Sequence, residues 1–254
     1  MYTLETATRK RFYFASVVFA VFLAALLTQN RTSSNGSPFL QRQTAESKLP
    51  YYEYIGPMEQ SPNDHRQHRL IRLPNGLTAL CTYDPLAETA ASSLSVNVGA
   101  IADPPSFQGM AHFLEHMLFM GSAKYPDEDD YTSFISNHSG VYNAATAKDH
   151  TYYHFYIDNN ALEGALDRLS WFFVHPLLNP DGVDREVNAV DSEYKGGLRN
   201  SGWRLFQLLC SLSNPEHPYS KFNVGNLETL RDAALVANVS LADEVRKFYN
   251  MYYS

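Results

Sequence analysis

The chain has 254 residues and a mass of 28.7 kDa, with 44% hydrophobic and 19% charged residues. This composition suffices for a buried core and excludes a disordered or low-complexity chain. The formal net charge of −7 argues against binding to nucleic acid, because counterion release needs a basic surplus. Two cysteines, Cys81 and Cys210, are too few for a disulfide framework, and neither has a CxxC neighbour. Any catalytic chemistry therefore depends on histidine and carboxylate side chains.

The first thirty residues predict a targeting or anchoring segment. Three basic residues at positions 9–11 precede an unbroken apolar run at 12–27, the order found in a signal peptide or signal-anchor. The run is short for a membrane-spanning helix, which needs about 20 residues. No small-residue cleavage site follows it, which favours an uncleaved anchor. The basic flank and the glycosylation triplets at Asn30 and Asn35 predict a membrane-attached domain on the lumenal or extracellular side, with a cytosolic location as the alternative.

The remainder of the chain divides into a linker and a globular domain. Residues 31–65 are rich in polar residues and predict a stalk, and the domain is expected over residues 66–254. Alternating apolar residues predict strands at 77–83, 92–98, 141–147 and 151–157. A helical period predicts helices at 109–120, 160–173, 184–199 and 241–249. Because strands come in pairs followed by helices, we expect an α+β fold with a largely antiparallel sheet.

One segment carries the residue types of a metal site. His112 and His116 lie four residues apart in the first predicted helix, so both rings project from one face and can bind one metal ion. Glu115 lies beside them and can approach an activated water without acting as a ligand. A catalytic zinc site needs a third protein ligand, and a later predicted helix offers Glu186 and Glu193, seven residues apart. Periodicity alone does not choose between these two glutamates.

The segments HFLEHMLFMGSAKYPDEDDY, VYNAATAKDHTYYHFYI and DREVNAVDSEYKGGLRNSGWRLFQL closely resemble the insulysin branch of the pitrilysin family. These zinc metallopeptidases carry HxxEH, the reverse of the commoner HExxH order. The resemblance extends from about residue 52 to the last residue. It implies one zinc ion per chain, bound by His112, His116 and Glu193, the last of which follows His116 after 76 intervening residues. It also implies that Glu115 is the general base.

The resemblance implies roles for two further residues and a fold. Glu186 is expected to orient a ligand or tune the activated water, and Asn143 to position the substrate or the developing oxyanion. The implied fold is a two-layer metallopeptidase domain with helices on one side of the sheet. Relatives in this branch resemble four homologous domains arranged as two halves. The chain is therefore expected to cover most of the first domain, to be truncated at its C-terminus, and to need the missing C-terminal half or a homologous chain as a partner.

The implied function is zinc-dependent endoproteolysis of small peptides or unfolded short polypeptides. The alternative is a catalytically incomplete fragment, or a binding or assembly module of the same fold. Binding modules of this fold tend to lose the metal ligands, and here His112, Glu115, His116 and Glu193 are all present. A zinc hydrolase of small molecules is disfavoured, because the long match predicts an open peptidase domain rather than a compact closed pocket.

Overall fold

The structure, a computed structural model, describes residues 38–43 and 50–253. Within them, seven strands and seven α-helices are joined by short 3-10 segments and one π-helical turn at Glu228–Asp232. The strands are β1 Phe39–Arg42, β2 Tyr51–Tyr54, β3 Gln67–Arg72, β4 Thr78–Tyr83, β5 Thr89–Val96, β6 Val141–Thr146 and β7 Thr151–Asp158. The helices are α1 Met110–Leu118, α2 Asp130–Asn137, α3 Leu162–Val174, α4 Pro180–Gly197, α5 Ser201–Ser211, α6 Ala233–Ala237 and α7 Leu241–Tyr252.

The strands form two antiparallel sheets. One has the order β1-β2-β3-β4 and the other the order β5-β7-β6. The runs Tyr51–Tyr54 and Thr151–Asp158, both rich in aromatic residues, form strands, as expected for half-buried pleated surfaces. Helices α1 and α3 pack against the three-stranded sheet. The predicted α+β fold with a largely antiparallel sheet is confirmed.

The first sheet begins earlier in the chain than the sequence indicated. Strands β1 and β2 both fall within residues 31–65, where we predicted a polar stalk. The pair is supported by the Phe39 ring, which packs edge-on against Tyr54 at 5.4 Å and lies under the guanidinium of Arg72 at 4.4 Å. These contacts join residues distant in sequence, which explains why local composition did not reveal the strands. The boundary between linker and domain stays a prediction.

The central strand β7 separates the core from the open face of its sheet. Thr151, Tyr153, Phe155 and Ile157 are buried, whereas the alternate residues are partly or fully exposed. The buried side chains meet α1, in which seven of nine residues are buried. The helix predicted to carry the metal-binding histidines therefore lies at the centre of the core.

Helix α4 crosses α1 and carries the candidate carboxylates. Its start is fixed by Pro180 in the first turn and by the Asn179 side chain, which accepts a hydrogen bond from the Asp181 amide at 3.1 Å. Val187 and Val190 on one face are fully buried against the core. Packing of this apolar face against α1 sets the rotation of α4 and directs the neighbouring glutamates towards the histidines.

The membrane prediction requires correction. No helix in residues 38–43 and 50–253 has the length and apolar character needed to cross a membrane. The apolar run at 12–27, which motivated the prediction, lies outside the described residues, as does the rest of the segment 1–30. The prediction of a membrane protein with a transmembrane helix is therefore wrong for the described residues, and membrane attachment and the location inferred from it have no support.

Candidate metal centre

The structure brings His112, His116 and Glu193 together. The two imidazole rings, one helical turn apart on α1, have centroids 4.8 Å apart. Glu193 on α4 faces both rings, with Oε2 3.3 Å from His112 Nε2 and Oε1 3.6 Å from His116 Nε2. Within the described part of the chain, one potential ligand atom from each residue lies within 4.8 Å of the other two. This is the geometry of a three-residue metal centre.

The ring of His112 is oriented by the main chain of a distant loop. Its Nδ1 donates a hydrogen bond to the carbonyl oxygen of Val224 at 2.6 Å. A carbonyl oxygen can only accept, so Nδ1 carries the hydrogen and, in the neutral ring, Nε2 keeps its lone pair. That lone pair faces Glu193, on the side where a metal would bind. No sequence pattern indicated Val224, because the contact spans 112 residues and is made by the backbone.

Two glycines allow this loop to reach the histidine helix. Gly109, which precedes α1, and Gly225 both have positive φ angles, +93° and +79°. A Cβ atom on Gly109 would lie 2.2 Å from the Cα of Gly225, far closer than two non-bonded carbon atoms can approach. Gly109 is thus limited to glycine by conformation and by space, and Gly225 by its conformation. Their contact places the carbonyl of Val224 beside His112.

His116 is held from the other side by a second carboxylate. Its Nδ1 lies 3.3 Å from Glu186 Oε2, and the Glu186 side chain is only 14% exposed. Burial lowers the pKa of His116, but the hydrogen bonds to Glu186 and Glu193 outweigh that effect and raise the pKa to about 9. The histidine hydrogen bonds also hold the pKa of Glu193 well below its usual range. The site therefore favours positive charge at the point where the three residues meet.

The donor set fits zinc. Two imidazole nitrogens and one carboxylate oxygen make up one of the combinations used by catalytic zinc sites that keep a position open for water. Both imidazoles donate their Nδ1–H groups to acceptors behind them, Val224 and Glu186, as metal-binding histidines generally do. Glu193 is half-exposed, so the open side of the centre faces solvent.

Glu115 lies next to this centre but is not one of its three candidate ligands. It is 8% exposed, and burial raises the pKa of its carboxyl group. Its Oε2 accepts a 2.6 Å hydrogen bond from the Thr146 hydroxyl on β6, which fixes the carboxylate orientation. Thr146 is a site residue that the sequence did not single out, although it ends the strand that contains the predicted Asn143.

Asn143 occupies a different surface from Thr146. It is exposed on the edge strand β6, directly across from His154 on β7. Because residues 143 and 146 differ by an odd number, their side chains leave the strand on opposite faces. The structure thus places Asn143 away from the Thr146–Glu115 contact, and its role towards a substrate stays a prediction.

Replacing Glu186 with glutamine should weaken zinc binding by about tenfold, since partners of ligating histidines commonly contribute 10–100-fold to metal affinity. The amide can still accept from His116 Nδ1 but supplies no negative charge. Zinc affinity can be measured by competition with a chelating dye, with the exposed Glu228→Gln as the control. Equal affinities of the wild-type chain and Glu186→Gln would show that Glu186 does not support the ligand.

The comparisons with known proteins all point to one family. The insulinase family (peptidase family M16) matches residues 78–216, more than half of the chain. The A-factor-processing enzyme of Saccharomyces cerevisiae is 50% identical over 191 residues, which cover 75% of this chain and 19% of the relative. The insulin-degrading enzyme of Homo sapiens is 42% identical over 217 residues, covering 85% of this chain and 21% of the relative.

Solved structures agree with the sequence relatives. The crystal structure of pitrilysin superposes with a TM-score of 0.77 at 38% identity, over 82% of this chain and 22% of that one. A protease from Helicobacter pylori shares the fold with a TM-score of 0.63 at 23% identity, over 74% of this chain and 43% of that one. The chain spans about a fifth of the length of the curated relatives named here. It has the pitrilysin-like fold and belongs to the insulinase family of peptidases, M16.

Proposed function

We propose that this chain carries the catalytic centre of a zinc-dependent endopeptidase that hydrolyses small peptides or unfolded short polypeptides. The observation that carries the proposal is the convergence of His112, His116 and Glu193 beside the buried carboxyl group of Glu115. The names of the relatives, an insulin-degrading enzyme and an A-factor-processing enzyme, support a polypeptide substrate.

His112, His116 and Glu193 would hold the zinc ion. A bound zinc ion would supply Lewis acidity, which makes a water molecule acidic near neutral pH and polarises the scissile carbonyl group. Val224 and Glu186 keep the two imidazole rings turned so that their Nε2 atoms face the same point. This fixed orientation means that little reorganisation is needed during the reaction.

Glu115 acts as the general base in the proposed mechanism. Its carboxylate takes a proton from the attacking water and delivers it to the nitrogen of the leaving amine. Burial raises the pKa of Glu115, which brings its proton affinity closer to that required of both steps. The Thr146 hydroxyl occupies Oε2 and so leaves Oε1 to exchange the proton.

Substrate enclosure requires surfaces beyond these residues. The centre opens to solvent on the Glu193 side, and the matched relatives are about five times longer than the aligned region. We infer that a C-terminal half or a homologous chain closes over the substrate. We also infer that Asn143, on the edge strand β6, contacts the bound peptide away from the Thr146–Glu115 contact.

The test is cleavage of a quenched fluorescent peptide by the full chain, with and without a zinc chelator. Cleavage that stops on chelation and returns with added zinc is the expected result. Bound zinc without cleavage would favour the alternative of a catalytically incomplete module that needs a partner half. Absence of zinc binding in the folded chain would overturn the metal centre itself.

A further inference from the structure

We propose that Lys221, assisted by Lys148, is a positioning residue for the metal ligand His112. The two lysines act through the loop formed by residues 221–225, called here the 221–225 loop, whose Val224 carbonyl accepts the hydrogen bond from His112. This inference rests on the proposed zinc centre and adds to it the residues that set the orientation of one ligand.

Lys221 connects the loop to the start of the histidine helix. Its Nζ donates to the carbonyl oxygens of Ile101 at 2.7 Å and Asp103 at 2.5 Å. The buried carboxylate of Asp103 in turn accepts from the amides of Gly109 at 2.7 Å and Ala111 at 2.8 Å. These amides lie at the N-terminus of α1, where free N–H groups need acceptors. Lys221 and the first turn of α1 are therefore attached to the same residue, Asp103.

Lys148 connects the same loop to the turn between β6 and β7. Its Nζ donates to the carbonyl oxygens of Tyr219 at 2.7 Å and Lys221 at 2.9 Å. It also lies 4.8 Å from the ring centre of Tyr219 and 5.6 Å from that of Phe206. The turn follows Thr146, which orients the carboxylate of Glu115. The loop is thus fixed both to the helix that carries the histidines and to the turn after β6, the strand whose Thr146 contacts the proposed base Glu115.

The lysines direct their ammonium groups at main-chain carbonyls. Charge-assisted hydrogen bonds of this kind are stronger than neutral ones, and here they fix the path of the 221–225 loop, whose residues form no helix or strand. The loop has further support from the Phe222 amide, which donates to Gln108 Oε1 at 2.7 Å, and from the glycine contact described above. A shift of about 1 Å in Val224 would break its 2.6 Å hydrogen bond to His112.

Two lysine variants in the full chain test the inference. In Lys221→Met and Lys148→Met, we expect zinc affinity to fall by about tenfold, the lower end of the range for groups that orient metal ligands. Lys247→Met is the matched control, because Lys247 pairs only with Glu244 on α7, at 2.7 Å, among its recorded polar contacts in the described chain. Affinity is measured by dye competition, and circular dichroism establishes that each variant is folded.

A second measurement on the metal-free protein separates positioning from simple stabilisation. The His112 Nδ1 proton, bonded to a partly buried carbonyl, should give an exchange-protected NMR signal in the wild-type chain and in Lys247→Met. That signal should be lost in Lys221→Met and weakened in Lys148→Met. A role in stability alone would lower the melting temperature and leave the signal intact.

The outcomes distinguish this inference from the proposed function. Zinc binding by the wild-type chain, with unchanged affinity and an unchanged His112 signal in both lysine variants, would overturn the positioning role only. Failure of the wild-type chain to bind zinc would overturn the zinc centre, while the NMR comparison would still decide whether the lysines orient His112. If Lys221→Met does not fold, Lys148→Met decides the question.

Discussion

Replacing Glu193 with alanine is expected to reduce zinc affinity by roughly 10²–10⁴-fold. Whole structural zinc sites contribute about 10–16 kcal/mol, so one of three ligands accounts for on the order of 3–5 kcal/mol. Glu193 supplies the one carboxylate among the three grouped ligands, and its two oxygens face both imidazoles, so its removal also loses the negative charge at the centre. The affinity is measured by dye competition at fixed pH and ionic strength.

The control for this variant is Glu163→Ala, which removes an exposed carboxylate from α3. Its zinc affinity should match that of the wild-type chain. Glu193 is half-exposed, so the alanine variant should keep the fold, as circular dichroism can verify. A folded Glu193→Ala chain that binds zinc as tightly as the wild type would remove Glu193 from the ligand set and make Glu186 the next candidate.

Glu115→Gln is expected to lower peptide turnover by about 10²–10⁴-fold while zinc affinity stays within about threefold of the wild type. The amide oxygen can still accept from the Thr146 hydroxyl, so the side chain keeps its place, but it cannot take a proton from water. Turnover of a quenched peptide and zinc affinity are measured on the same preparations.

The two variants should lose different properties, and this difference identifies Glu193 as a ligand and Glu115 as the base. Glu193→Ala should lose metal and activity together, whereas Glu115→Gln should lose activity and keep the metal. Near-normal turnover in Glu115→Gln would contradict the assignment of the general base. Thr146→Val provides an intermediate case, since it removes the hydroxyl that orients Glu115 and leaves the carboxylate in place.

The sequence predicted those features that depend on short-range periodicity. His112 and His116 share a helix face because they are four residues apart, and that geometry follows from the helix alone. The strands at 141–147 and 151–157 were visible as alternating runs, and the structure has β6 and β7 there. The choice between Glu186 and Glu193 was beyond periodicity, since residues seven apart share a face. The packing of α4 on α1 places Glu193 opposite the Nε2 atoms of both rings and Glu186 beside Nδ1 of His116.

The rest depends on contacts between distant parts of the chain. Val224 orients His112 through its backbone carbonyl, so the type of side chain at position 224 does not indicate this role. Thr146 looks like an ordinary strand residue until β6 is packed against α1. Strands β1 and β2 are stabilised by pairing with each other and with β3, whereas their own composition is typical of a linker. The membrane prediction is wrong for a related reason. It depended on local features before residue 38, namely the basic residues at 9–11, the apolar run at 12–27 and the triplets at Asn30 and Asn35, and on nothing in the folded domain.

The position of α1 determines how the centre should respond to heat. Three apolar residues close to the two histidines in α1 are fully buried in the main core, namely Phe113, Leu114 and Met117. Segments of this kind open only with the whole domain, in contrast to surface loops that open locally at little cost. Helix α1, which carries the two histidines, is therefore not expected to unfold locally before the rest of the domain. Thermal inactivation and global melting should follow one curve, and a catalytically silent but still folded population should not accumulate below the melting temperature.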